Sequence, residues 1–176
     1  AIAIWPINHA IAGSYQVKAE LVTAEGLVYG AETADFVVQG DVEANQTNKA
    51  HIATDKASYS STDSIQITSQ TTNASSNVVQ NNLTAVTTIS DGIGQVLFSK
   101  SEPIAQFGPG ANKQYRYSFS ASGLAIGTHT ARIELKDASG ATLAEHNSSF
   151  NILSSAQTGA GIKGTIGVLP KAVDQG

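Results

Sequence analysis

Cysteine is missing from this 176-residue chain. That excludes a disulfide framework, a thiolate nucleophile and any zinc or iron–sulfur centre built on Cys. Charge is scarce as well: Asp, Glu, Lys and Arg supply 14% of the residues, against about 25% in an average soluble protein. The ten Lys and Arg are scattered and the formal net charge is −4. Nucleic acids and anionic membranes both require clustered basic groups, so neither is expected as a partner. No apolar run approaches the ~20 residues of a membrane-spanning helix. The opening "AIAIWPINHA" lacks the basic stretch that begins a secretory leader, and the chain reads as a mature or excerpted piece.

What replaces charge is Ser, Thr, Asn, Gln, Ala and Gly, a polar surface common among secreted β proteins, around a hydrophobic fraction of 41%. Helical periodicity is hard to find, while alternation with a period of two recurs between turn clusters, the pattern of half-buried antiparallel strands. A short strand is expected at His51 to Thr54, and a second with Ile65 and Ile67 on one face. "NASSNVVQNN" breaks it before a third with Leu83, Ala85, Thr87 and Ile89 aligned. "SDGIG" turns into a fourth through Val96 and Phe98, followed by a separate extended piece, "PIAQF". Tyr115, Tyr117 and Phe119 then share a face, as do Ala131, Ile133 and Leu135, and a last strand closes on Phe150 and Ile152. About seven strands with turn signals every 8 to 12 positions predict an all-β, immunoglobulin-like β-sandwich.

A repeat runs through this pattern. Gly13 and Gly127, Leu21 and Leu135, Gly26 and Gly140, and Phe36 and Phe150 are each 114 positions apart (127 − 13 = 114). Trp5 falls on Phe119, Val38 on Ile152, Ile52 on Ile166 and Tyr59 on Val173 in the same gap-free register. One register covering strands, turns and polar linkers indicates tandem repeats with a period of 114 residues. Residues 1–40 are then the last three strands of one unit, 41–155 a complete unit, and 156–176 a linker and the first strand of the next. Three strands alone would leave large side chains in water, forgoing about 1.5 to 3 kcal/mol each. The half-unit is therefore expected to be completed, by upstream sequence or by another chain.

The segments Tyr59 to Ile67 (Y-x5-I-x-I), "ISDGIGQVLF" and "GTHTARIELKDASGATLAEHNSSFNI" resemble the extracellular Ig-like and macroglobulin-like repeats of large prokaryotic cell-surface proteins. The central unit departs from antibody domains in having no Cys pair and no Trp. The resemblance implies a structural role in a cell-surface stalk, fibre or filament, with neighbouring repeats or other copies of the protein as partners. The alternative is an adhesin-type module that binds carbohydrate or a host protein through loops such as "NASSNVVQNN" and "FGPGAN". A third possibility is an accessory domain of a surface enzyme whose chemistry lies elsewhere.

Individual residues carry little chemistry. Trp5, a conceivable sugar platform, is expected in a core because it matches Phe119. His9, His51, His129 and His146 have no accompanying carboxylate cluster, and His129 and His146 are not opposite one another on their hairpin, so no metal site is expected. Calcium would need about six to eight converging oxygens, and Asp41, Glu43, Asp55 and Asp174 do not supply them. Asp91 and Asp137 are expected to cap turns that end in Gly94 and Gly140. No nucleophile turn of the G-x-S-x-G type is present, and Glu20 and Glu134 recur at one repeat position, as a solvated strand face would. "TGAGIKG" lacks the Lys-Ser/Thr ending of a phosphate loop. No catalytic residue, cofactor or metal is expected. Asn45, Asn73, Asn82 and Asn147 head N-x-S/T sequons in expected loops or edges, and so are glycosylation candidates.

Overall fold

Extended segments with apolar side chains on one face must stack those faces to remove them from water, and the strands here do so in two layers. A computed structural model describes residues 10–41 and 48–154, together with positions 4 and 6. The described residues form ten strands: β1 (Gly13–Val22), β2 (Val28–Val38), β3 (Asn48–Thr54), β4 (Ser58–Tyr59), β5 (Ser64–Asn73), β6 (Gln80–Ser90), β7 (Val96–Phe107), β8 (Asn112–Ser120), β9 (Gly127–Lys136) and β10 (Thr142–Ile152). A five-stranded sheet, β4-β10-β9-β6-β7, faces a three-stranded sheet, β3-β5-β8, while among the described residues β1 and β2 pair only with each other. Every pairing is antiparallel except β4 on β10, where Ile152 lies beside Tyr59.

Ile52, Ile65 and Ile67 of the small sheet and Leu83, Ala85, Ile89, Ala131, Ile133, Leu135, Phe150 and Ile152 of the large one form a single buried cluster. The alternation read from the sequence holds along β5, β6, β9 and β10. Tyr115, Tyr117 and Phe119 do share a face of β8, and Phe98 on β7 packs across the layers at 5.5 Å from Tyr117 and 5.7 Å from Phe119. Between the sheets the Ser69 and Thr87 hydroxyls share a buried hydrogen bond of 3.0 Å. A buried hydroxyl satisfied in this way fixes the layer register without the penalty of an unpaired polar group.

Two local readings are corrected. "PIAQF" is no separate piece: Val96 to Phe107 runs as one strand. Pro103 is tolerated because β7 is the outer strand of its sheet. The two-residue β4 was also unforeseen. It is anchored by Tyr59, which is fully buried, meets Phe150 edge-on at 5.6 Å and donates its hydroxyl to Asp55 Oδ1 at 2.7 Å.

Candidate functional site

The hairpin β1–β2 repeats the geometry of β9–β10 position by position. Tyr15 pairs with Phe36 as His129 pairs with Phe150. The rings of the first pair stack at 5.6 Å and those of the second at 5.5 Å. Both hairpins shift register beside the turn, at Leu21/Val22 and at Thr142/Ala144. Both turns place a glycine at positive φ, 85° at Gly26 and 87° at Gly140. Lys18 is ion-paired with Glu20 as Arg132 is with Glu134.

The two hairpins differ in what covers them. Tyr15 and Val17, with Phe36 and Ala34 opposite them, share one face with Ala19 and Leu21, a face that also carries Glu32, opposite Ala19. The other face carries Lys18, Glu20 and a Gln16 side chain that donates to Asp35 at 3.0 Å. Val17 is 53% exposed and Leu21 69%, whereas the matching Ala131 and Leu135 are both at 0%. Val17 and Leu21 forgo the burial that their counterparts obtain from β6 and the opposite sheet.

At its base the hairpin is fastened to the sandwich through the β5–β6 loop. The Ala12 N–H donates to the Asn77 carbonyl at 2.8 Å, and Asn77 Nδ2 donates to the Gln39 carbonyl at 2.8 Å. The Asp41 N–H donates to Asn77 Oδ1 at 3.0 Å, and the Ser76 N–H to Asp41 Oδ2 at 2.6 Å. One asparagine thus bonds both strands' flanking chain. This joint was not anticipated. Its only sequence signal is an Asn within a polar loop, which also suits an ordinary bend.

The remaining candidates are dispersed. His129 faces Phe150 and His146 faces Ile133, so these two are not opposite one another. His146 instead lies 4.8 Å from His51, ring to ring, and its Nδ1 accepts the Ile52 N–H at 3.2 Å, bridging the sheets. Asp41 and Asp55 flank opposite ends of β3. The Tyr59 hydroxyl holds the Asp55 carboxyl below its usual range despite some desolvation. Asp91 and Asp137 do cap turns: Oδ1 of Asp91 accepts from Gln95 N at 2.8 Å, and Oδ1 of Asp137 from Ala141 N at 2.9 Å. Glu134 is ion-paired with Arg132 and Lys136. No group of three or more metal-ligating side chains occurs among the described residues. Trp5, His9, Glu43, Asn45, Ile166, Val173 and Asp174 lie outside those residues, as does "TGAGIKG".

The sequons separate by burial. Asn82 and Asn147 are exposed, and Asn82 adopts φ 57°, a left-handed conformation that Asn tolerates. Asn73 is no loop residue open to glycosylation: it is fully buried. Its Nδ2 donates to the carbonyls of Val78 at 2.8 Å and Phe107 at 2.9 Å, while its Oδ1 accepts from the Ser75 N–H and hydroxyl.

No protein-family model matches the chain, and no curated protein matches it. Among solved structures it is similar to the C-terminal domain of Wzt, at 10% identity over 87% of this chain and 88% of that one, with a TM-score of 0.47. It is also similar to a β-glucuronidase from glycoside hydrolase family 2, at 16% identity over 59% of this chain and a TM-score of 0.43. A Bacteroides uniformis β-glucuronidase matches at 14% identity over 72% of this chain, with a TM-score of 0.45. The chain spans 11% and 16% of the lengths of those two glycosidases. These likenesses are distant, and the description of the sandwich rests on its own strand order and core.

Proposed function

We propose that this chain belongs to a tandem array of extracellular Ig-like sandwiches whose role is structural, building a cell-surface stalk, fibre or filament. The observation that carries this reading is the correspondence of β1–β2 with β9–β10 at an offset of 114 residues, in strand bounds, register, stacked rings and turn. A sandwich whose last hairpin recurs ahead of it, fastened end to end through Asn77, has the organisation of beads in series. The Ig-like assignment is supported by the strand order, with β3, β5 and β8 in one sheet and β10, β9 and β6 in the other, which parallels the A-B-E and G-F-C layers of that fold.

The adhesin alternative places a ligand on the β5–β6 loop and on "FGPGAN". Ser76 and Asn77 of the first loop are engaged by the hairpin, which favours the structural reading. Electron microscopy of the native assembly is the test. A beaded fibre with a constant axial spacing is expected. Saturable binding of a glycan or protein by the sandwich, without a regular fibre, would replace this reading with the adhesin one.

A further inference from the structure

Within the sandwich, β9 is flanked on both edges, by β10 on one side and β6 on the other. Ala85, Thr87 and Ile89 of β6 lie beside Leu135, Ile133 and Ala131 of β9, and all six are buried. Strand β1, its counterpart, has β2 on one side and, among the described residues, no strand on the other. Carried across the offset of 114, which rests on the repeat reading above, the same register sets a β6-like strand beside β1, with Ala85, Thr87 and Ile89 opposite Leu21, Ala19 and Val17.

We infer that the open edge of β1 is a strand-uptake site. Its occupant is an antiparallel extended segment with the alternation of β6, Leu-x-Ala-x-Thr-x-Ile, that is, the counterpart of β6 from a sandwich of this type. Three observations select this partner. Val17 and Leu21 are exposed at the two positions where Ala131 and Leu135 are covered by β6 and the opposite sheet. The outward residues Lys18 and Glu20 are ion-paired with each other, which leaves the backbone edge and the exposed Val17 and Leu21 for a partner to meet. A second copy paired through its own β1 edge would align Val17 with Leu21 but leave a doubled apolar face still open. A sandwich strand, in contrast, arrives with its facing sheet.

The test uses the full chain in two forms, mixed with a peptide of residues 80–90, and with that peptide sequence fused ahead of residue 1 through a flexible linker that raises its effective concentration. Amide hydrogen exchange of β1 is the readout. Exchange slowed by about tenfold or more at the β1 amides is expected with the tethered strand, and none with a scrambled sequence. Val17→Asp with Leu21→Asp should abolish the protection, whereas Thr33→Asp on the polar face should leave it intact. An unprotected β1 in the tethered form overturns the proposal. So does protection that survives the paired aspartates, or sedimentation of the untethered chain as a dimer with β1 protected. A beaded fibre with β1 unprotected would remove the strand-uptake site alone; protection without a regular fibre would remove the array and leave the site.

Discussion

At the scale of single residues, the positions that decide stability are buried polar groups with every bond made. Asn73 satisfies two carbonyls and both Ser75 donors inside the β5–β6 loop. Asn73→Ala leaves several of these without partners, and a loss of about 2 kcal/mol or more is expected in urea denaturation. Tyr117 makes a pH prediction. Burial, with the neighbouring Glu102 carboxylate second, pushes its phenol from 10.0 up to about 12. The unfolded chain therefore ionises there first. The stability that Tyr117 contributes is whole below pH 10 and is lost as the pH rises toward 12. Tyrosinate absorbance should show Tyr117 titrating late, and Tyr117→Phe should flatten the alkaline fall in melting temperature. Neither role was legible in the sequence: the Asn73 sequon reads as a surface feature, and its burial depends on carbonyls from Val78 and Phe107.

At the scale of elements, three hairpins use one turn. Residues Thr23, Asp91 and Asp137 each receive the N–H of a glycine three positions on and donate their own N–H to the next carbonyl. The glycines sit at φ 85° to 87°, a region that costs an L side chain about 1 kcal/mol. Gly140→Ala should lower sandwich stability by roughly that amount, while Gly26→Ala should leave the sandwich's denaturation midpoint in place, since the turn of β1–β2 lies outside its core. The turns and most strands were legible because Gly, Asp and period-two alternation act locally. β4 and the continuity of β7 were not: two residues hold no period, and Pro103 looks like a break until β7 is known to be an outer strand.

At the scale of the whole molecule, the joint at Asn77 fixes how the hairpin meets the sandwich. Asn77→Ala removes two side-chain bonds. Small-angle scattering is expected to show a wider spread of hairpin orientations, with the melting temperature of the sandwich changed by only a few degrees. An unchanged scattering profile would mean that the backbone bond from Ala12 suffices.

The amino-acid sequence by itself determined the all-β class, the faces of the core strands, the turn positions and the 114-residue echo, because each is written in spacing along the chain. Only the tertiary structure decided which sheet each strand joined, that Asn73 was buried, that Asn77 was a joint and that, among the described residues, no strand but β2 lay beside β1. Those outcomes depend on groups distant in sequence meeting in space, and no local pattern records which partner a backbone edge or a polar side chain will find.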